Sequence, residues 1–495
     1  MSDSQPQTMG PPSEELQRAL DVYRRHLPAA GSLYGFDISG LDHLQWPVWL
    51  TSFIGAEAGT ADGFGYGAGA AEAQVGALGE LNEMIHTDTA LRRCPVRDGF
   101  SYRQLCRLEG PEAVIDPLTL CLPAASPYHP DLPLRWVPVQ RWPAGSRHWV
   151  PREFAAARGS MLHTQSDHPD NRLEAAPSEA LITPITCGLG AGISLEQALS
   201  HGVLELLQRD GNCTAFRAMD RGWVLDLDDV QDPGIGQLQA WLRERGVEVT
   251  VKLASTEFDL VNLYVVGRSV GEAADKVWFP LQQTACGEAV HANRERALRK
   301  ALLEYMAARC RKAFMHGPLA RIRALEQEGY LSHYLEHYAL DQQEPRALEA
   351  MAHWLTLSAS QLQDLLAPTV FSHSRTIPFS TLPTLADDAV RHPADRLADL
   401  VNRLEAAGLA VYYFDASITG GPRVVKAIVP GLEGETLSYY RMGERGVRRL
   451  VERAVDFVGL GDPPAGALPV RLTPQAEGRF GGPAWGHPQP APPRG

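Results

Sequence analysis

The chain has 495 residues and a formal net charge of −13, with 44% apolar and 21% charged residues. This composition is typical of a globular protein with a large core, and it excludes a wholly disordered chain. The acidic balance argues against a general nucleic-acid or anionic-membrane binder, because such proteins need a cationic surface.

The seven cysteines are scattered and contain no C-x-x-C pair, which favours free thiols in a reducing compartment over a disulfide framework or a structural zinc site. The first fifteen residues are polar and acidic, unlike a signal peptide. No apolar run approaches the ~20 residues that span a bilayer. We therefore expect a cytoplasmic protein that does not enter a membrane.

The first half of the chain repeats one order of elements. After a lead-in segment, 1–39, with a short helix near 16–27, a strand is predicted at 46–54. The glycine-rich stretch 63–69 then leads into an alanine-rich helix. A second strand, glycine loop and helix are predicted at 182–187, 188–192 and 194–209. This order predicts an α/β (α+β) fold with an internally duplicated strand, glycine loop and helix.

The second half contains fewer motifs. Strand patterns occur at 250–253 and 261–266, and a long helix is predicted from Arg294 to about Phe314. A helical insertion is expected at about 318–408, with a break near 376–379. Two strands (409–414 and 423–429) and a helix at about 443–457 complete a main domain over 40–460. Residues 461–495 are rich in Pro and Gly, which predicts an extended tail.

Acidic and polar side chains recur on one face of both glycine-linked helices. Glu80 and Glu83 are three residues apart, and Gln197, His201, Glu205 and Gln208 form a polar stripe. A glycine loop at a helix start suits phosphate, and neighbouring carboxylates suit Mg²⁺. The ordinary interpretation is a structural turn followed by a solvated helix face. The residues alone leave both interpretations open.

Five stretches together resemble the YcaO family, whose members use ATP to activate a peptide amide backbone. They are GLDHLQWPVW from Gly40, GALGELNEM from Gly76, TCGLGAGISLEQALSHGVLELLQRDG from Thr186, ERALRKALLEYMAAR from Glu295 and VVKAIVPGLE from Val424. The resemblance implies a YcaO-like fold with ATP and Mg²⁺ as cofactors.

The family pattern can be carried onto this chain residue by residue. The resemblance implies that Glu80, Glu83 and Glu205 hold Mg²⁺. It also implies an ATP site formed by Glu80, Glu83, Gln197, Glu205, Gln208, Arg209 and Arg309. The chain departs from the pattern where Gln197 and Gln208 replace glutamates and where Ile193 replaces an asparagine, and Glu304 matches the later helix. Fewer carboxylates should weaken Mg²⁺ binding, which predicts a partly degenerate site.

The chain end carries a Pro-x-Pro-x-Pro pattern formed by Pro488, Pro490 and Pro492. Azoline-forming YcaO proteins resemble each other in having such a motif near the active site, so the resemblance implies a catalytic role in positioning or deprotonating the peptide. The ordinary interpretation is a flexible or polyproline II tail. Three further residues follow the motif here.

The resemblance implies that a Cys, Ser or Thr side chain of a ribosomally made precursor peptide attacks the preceding amide, whose oxygen takes the γ-phosphoryl group of ATP, so that an azoline forms. It also implies an E1-like, leader-binding partner protein, and a homodimer is compatible with it. Two alternatives stay open: a degenerate YcaO scaffold without ATP chemistry, and an enzyme that makes thioamides or amidines.

Overall fold

The structure is a computed structural model that describes residues 13–55, 59–163, 180–217, 222–277, 279–337, 354–434 and 441–487. Its helices are α1 (Glu14–Arg25), α2 (Ala70–Arg93), α3 (Tyr102–Glu109), α4 (Arg152–Ala155), α5 (Ser160–His163), α6 (Leu195–Arg217), α7 (Pro233–Glu244), α8 (Arg294–His316), α9 (Leu319–Arg323), α10 (Tyr330–His337), α11 (Ala359–Leu366), α12 (Pro393–Ala406), α13 (Glu444–Glu452) and α14 (Pro474–Phe480).

The strands lie between these helices. They are β1 (Ser32–Asp37), β2 (Val48–Gly55), β3 (Gly59–Tyr66), β4 (Arg97–Ser101), β5 (Pro133–Arg141), β6 (Arg147–Pro151), β7 (Leu189–Gly192), β8 (Trp223–Asp226), β9 (Val247–Ser255), β10 (Val261–Ser269), β11 (Cys286–His291), β12 (Arg375–Pro378), β13 (Tyr412–Asp415), β14 (Arg423–Ile428), β15 (Val458–Leu460), β16 (Leu468–Pro469) and β17 (Ala484–Gly486). The mixed α+β architecture agrees with the predicted fold class.

These strands form several sheets. Strands β1, β2 and β3 make an antiparallel sheet in that order. A second sheet has the order β4-β5-β13-β14-β7, with β6 also paired to β5. The third has the order β11-β10-β9-β8-β12, in which β12 runs parallel to β8. Strand β1 belongs to the first sheet, so the predicted boundary at residue 40 cuts through that sheet.

Helices α2 and α6 are each packed between two sheets. Helix α2 contacts β2 and β3 on one side and β7 and β14 on the other, whereas α6 contacts β7 and β14 on one side and the third sheet on the other. Helix α8 packs against β10 and β11. Each of the three helices directly follows a strand: α2 follows β3, α6 follows β7 and α8 follows β11.

The glycine-rich stretches are largely strands, which corrects the prediction of loops. Gly63 and Gly65 lie in β3, and Gly190 lies in β7, which occupies nearly all of the predicted loop 188–192. The strand predicted at 182–187 is not formed, so the strand of this unit lies where the loop was expected. A Cβ atom at Gly63 would overlap the Ala77 carbonyl of α2, and one at Gly190 would overlap the Ala198 carbonyl of α6. The alternating glycines therefore remove side chains from the strand face on which the helix packs.

Two further predictions change. The break at 376–379 in the helical insertion contains a strand, β12, that extends the third sheet. The predicted extended tail is wrong for residues 461–487, where α14, β16 and β17 fold with β15 and α13 around buried apolar residues such as Val447, Leu450 and Leu472. Apolar residues spaced between the prolines supply this small core, which a count of Pro and Gly hides.

No helix in the described part of the chain is both long enough and apolar enough to cross a membrane.

Candidate nucleotide and magnesium site

Glu80 and Glu205 are fixed in equivalent ways on α2 and α6. The Glu80 Oε2 atom accepts a hydrogen bond from the backbone N–H of Phe64 in β3. The Glu205 Oε2 atom accepts one from the N–H of Gly188, just before β7, at 3.0 Å. Each helix thus holds one carboxylate against the strand that precedes it. The missing glycine side chains allow this close approach.

Glu83 lies one turn after Glu80 and is 9% exposed. It accepts a hydrogen bond from the backbone N–H of Ala191 in β7. Burial, together with the charges of Glu80 and Glu205, raises the pKa of Glu83 well above its usual value. Burial also raises the pKa of Glu80, and the repulsion from Glu205 adds to that rise. The three predicted Mg²⁺ ligands therefore share one electrostatic environment.

Arg209 lies between two carboxylates on different elements. Its Nη1 atom donates to Glu288 Oε2 of β11 at 3.1 Å, and its Nη2 atom lies 3.6 Å from Glu205 Oε1. Although burial opposes the charged form, Glu288 and Glu205 raise the pKa of the guanidinium. Arg209 is 28% exposed at its side chain, so its remaining donors are within reach of an anion.

Helix α8 contributes Glu304 to this region. Glu304 matches the family pattern, but the sequence analysis gave it no role. Its Oε2 atom accepts a hydrogen bond from the Tyr66 hydroxyl at 3.2 Å. Burial raises the pKa of Glu304 to about 7, against the opposing charge of Lys300 and with a further rise from Glu288. The positive charge of Arg311 lowers the pKa of Glu304. The Arg311 guanidinium lies 4.9 Å from the centre of the Phe64 ring.

Sequence reasoning gave no role to Glu288, Lys300, Arg311 or Lys426, although all four interact electrostatically with the predicted site residues. One signal could have found three of them, Glu288, Lys300 and Arg311. Gly287 of β11 packs against α8 as Gly63 packs against α2, so the segment CGEAVH followed by α8 is a third glycine-containing strand and helix. Lys426 lies in the VVKAIVPGLE stretch that resembles the family, but its position beside the site depends on the packing of β14 against α6.

Arg309 has a different role from the one predicted. It is completely buried, and its Nε and Nη2 atoms donate to the two carboxylate oxygens of Asp42, the second at 3.0 Å. Ser269 Oγ accepts a further hydrogen bond from Nη2. The structure therefore corrects the prediction of a phosphate-binding residue, since this guanidinium is enclosed in the core by its own ion pair.

Gln197 and the starts of α2 and α6 also differ from the prediction. The Gln197 side chain accepts from the N–H of Ile193 at 3.0 Å, and its backbone N–H donates to Ser194 Oγ, so this amide closes the start of α6. Glu72 closes α2 in the same way by accepting from the N–H of Ala68. Side chains thus cap N–H groups that the sequence interpretation assigned to phosphate. Gln208 is buried on α6.

The donor set fits Mg²⁺ in the form of its ATP complex. Within the described residues, no three Asp, Glu, His or Cys side chains converge closely enough to enclose one ion. Mg²⁺ bound to a nucleotide needs only one or two carboxylates and takes its other ligands from phosphate and water. Glu80, Glu83 and Glu205 are crowded carboxylates, and a divalent cation would offset their repulsion. The cluster is therefore chemically compatible with Mg²⁺ bound to a nucleotide, and the partly exposed Arg209 is compatible with a phosphate group.

Pro488, Pro490 and Pro492 lie outside the described residues. The last described residue, His487, donates its backbone N–H to the Phe457 carbonyl at 2.8 Å.

Helices α2 and α6 pack between sheets, as in a mixed α/β protein. Their carboxylates accept hydrogen bonds from the preceding strand segments, and the resulting site is suited to magnesium and nucleotide phosphate. A family model described as YcaO cyclodehydratase, ATP- and Mg²⁺-binding, matches residues 64–433. The chain belongs to the YcaO family. This confirms the predicted family, and it confirms ATP and Mg²⁺ as the cofactors expected of a family member.

Three similar proteins extend this result. An uncharacterized protein of Methanothermobacter thermautotrophicus is 24% identical over 88% of this chain and 99% of the relative. The structure of YcaO from Methanopyrus kandleri, bound with AMPPCP and Mg²⁺, superposes with a TM-score of 0.54 at 17% identity, over 86% of this chain and 92% of that one. A heterocyclase in complex with substrate and cofactor gives a TM-score of 0.57 at 15% identity over 88% of this chain. The present chain spans only 55% of that heterocyclase.

Proposed function

We propose that this protein uses Mg-ATP to activate a backbone amide of a ribosomally made precursor peptide and converts a Cys, Ser or Thr residue into an azoline. The observation that carries the proposal is that Glu83 of α2 and Glu205 of α6 accept backbone hydrogen bonds at opposite ends of the short segment 188–191, with Glu80 one turn from Glu83 and Arg209 beside Glu205. Membership of the YcaO family supports the use of ATP.

The chain's own residues would mainly bind and orient the reactants. Glu80, Glu83 and Glu205 would hold Mg²⁺, which when bound offsets the charge of the phosphates. Arg209, already held by Glu288, would bind phosphate oxygens without rearranging. Phosphoryl transfer asks for this kind of positioning and charge compensation more than for covalent chemistry. The proline motif at 488–492 would position or deprotonate the peptide.

The proposal includes the partners and the compartment that the reaction needs. We expect a precursor peptide as substrate and a separate E1-like, leader-binding protein as partner in the cytoplasm. A homodimer is compatible with the proposal. Pull-down of the purified chain against candidate E1-like proteins encoded beside its gene tests the partner, and mass measurement in solution tests the oligomeric state.

The activity is tested by phosphate release from ATP in the presence of peptides encoded near the gene. We expect peptide-dependent release and a product that has lost one water per ring. Glu80→Gln should reduce the rate by at least about 10- to 100-fold, because that range is typical even for residues that only orient the metal ligands. Glu72→Gln, on the same helix but serving only as a cap, is the matched control and should retain activity.

Other outcomes identify the alternatives. No release by the wild type with any such peptide, and no Mg-AMPPCP binding, would indicate a scaffold without ATP chemistry. A product that gains sulfur in place of oxygen when sulfide is added would identify a thioamide-forming enzyme instead.

A further inference from the structure

A partly open cavity of about 60 Å³ is lined by Leu206 of α6, the residue that follows Glu205 of the carboxylate cluster. Helix α6, strand β14, helix α4 and the segment that precedes β7 surround it. Its apolar wall includes Leu120, Phe154, Ile182, Ile185, Leu206 and Ile428. Glu153, Lys426 and Arg441 also line it, so this small cavity suits a single apolar side chain joined to a few polar atoms. Nothing in the nucleotide site described above uses it.

Lys426 is the feature that apolar packing does not explain. It lies on β14 on the same face as Val424 and Ile428, lines the cavity, and is 4% exposed. Its Nζ atom donates to the Ile185 carbonyl, which takes one of the three protons of an ammonium group. Burying a cation is costly unless partners compensate it. Burial lowers the pKa of Lys426, whereas the negative charges of Glu205 and Glu83 raise it. Lys426 therefore links the cavity to the carboxylates of the proposed Mg-ATP site.

We infer, building on the proposed function, that this cavity receives the substrate residue whose amide is activated and that Lys426 donates a hydrogen bond to its carbonyl oxygen. A free phosphate would be near Lys426 and Arg441, but it would also meet the Glu153 carboxyl and lose its water to the apolar wall, and Arg441 already donates to the Cys121 carbonyl. A peptide residue fits both parts, with its side chain against the apolar wall and its carbonyl oxygen at the ammonium.

The assigned step places Lys426 where charge develops. The thiol or hydroxyl of the substrate adds to the carbonyl carbon, and the π electrons move to the oxygen that Lys426 contacts. That oxygen takes the γ-phosphoryl group while ADP leaves. The amide nitrogen then forms the C=N bond as phosphate departs, and the protons from the nucleophile and the nitrogen pass to water. A donor preorganised at such an oxygen lowers the barrier.

The kinetic test distinguishes the effect of the Lys426 amine on catalysis from the effect of the cavity wall on peptide binding. Lys426→Met should lower kcat by about 100-fold, as the loss of one oxyanion donor does, with the KM for ATP unchanged. Lys426→Arg should restore part of the rate. Ile185→Trp fills the cavity but keeps the carbonyl that Lys426 uses, and it should raise the peptide KM at least about tenfold. Unchanged kcat in Lys426→Met, or unchanged peptide KM in Ile185→Trp, overturns the inference.

Matched controls exclude a general effect on folding. Lys252 is another fully buried lysine, held by the carbonyls of Thr369 and Ser372 away from the site, so Lys252→Met should lower stability and leave kcat per folded molecule unchanged. Ile377→Trp alters a partly buried isoleucine of the third sheet. Calorimetric binding of Mg-AMPPCP shows that each variant is folded.

A second measurement does not depend on turnover. Cys187 lines the cavity, so the peptide acetyl-Val-Cys-amide, activated as its 2-thiopyridyl disulfide, should form a mixed disulfide with it and release thiopyridone. We expect faster labelling than with the acetyl-Asp-Cys analogue, and loss of labelling in Ile185→Trp. Equal labelling in wild type and Ile185→Trp overturns the cavity assignment. If the wild type shows no turnover but keeps this labelling pattern, the proposed function fails while the peptide-binding cavity stands.

Discussion

Replacing Arg309 by Met tests whether this guanidinium serves the fold or the nucleotide. Arg309 and Asp42 are 0% and 1% exposed and are joined by two hydrogen bonds. Although burial opposes ionisation, Arg309 and His43 hold the pKa of Asp42 well below its usual range, so the carboxylate stays charged in the core. Removing one partner of such a pair costs about 3–5 kcal/mol, a large part of the ~5–15 kcal/mol that stabilises most proteins.

Urea unfolding at neutral pH measures this loss, and calorimetry with Mg-AMPPCP measures binding in the same samples. We expect a destabilised protein whose folded fraction binds the nucleotide with unchanged affinity. The double variant Asp42→Leu with Arg309→Met leaves no unpaired charge and should recover much of the stability. Normal stability combined with lost nucleotide binding in Arg309→Met would refute the structural role and restore the phosphate role.

Four further outcomes follow from the site and its surroundings. Arg209→Gln should weaken Mg-AMPPCP binding by at least about tenfold, since a charge-assisted contact of about 1.5–3 kcal/mol is lost, and it should also lower stability, because the largely buried Glu288 loses its ion-pair partner. Glu304 has a pKa of about 7 and is therefore partly protonated at neutral pH. A bound Mg²⁺ favours ionised carboxylates, so calorimetric titration with Mg-AMPPCP near pH 7, in two buffers of different ionisation enthalpy, should show proton release on binding. Burial lowers the pKa of His86 to about 4 from 6.5, so the unfolded chain takes up the proton first. Stability should therefore fall between pH 6.5 and 4, by up to about 3 kcal/mol, and His86→Gln should flatten this slope in urea unfolding. Asp210→Asn should lower stability by about 3 kcal/mol in the same assay, because Asp210 is buried and bonded to Arg445 and to Arg449 of α13.

Asp210 also shows why neighbouring residues in a motif can have different tasks. Arg209 points to Glu205 and Glu288, whereas Asp210 accepts from Arg445, Arg449 and the backbone N–H of Glu433. One residue thus serves the candidate phosphate site, and the next attaches the C-terminal unit of α13, α14 and β15–β17 to α6. Because successive helix residues point about 100° apart, the two contacts are compatible on one helix.

Local patterns in the sequence were sufficient for the larger elements and for the family. The periodicity after residue 70, the signals around Ser194 and the pattern before His316 correspond to α2, α6 and α8. The spacing of Glu80 and Glu83 placed both carboxylates on one face of α2. These features depend on residues close together in the chain, where spacing alone decides which side chains share a face.

The contacts between distant segments were decided by the tertiary structure alone. Composition could not distinguish a glycine loop from a glycine-containing strand under a helix, because the difference lies in what packs against it. Arg309 resembles a phosphate ligand until Asp42, 267 positions away in the chain, is found to neutralise it. Lys426 lies in an apolar strand pattern, and only the packing of β14 beside α6 places it between the cavity and the carboxylates. The sequence determined which charges the protein has, and the fold determined which of them stay available to a ligand.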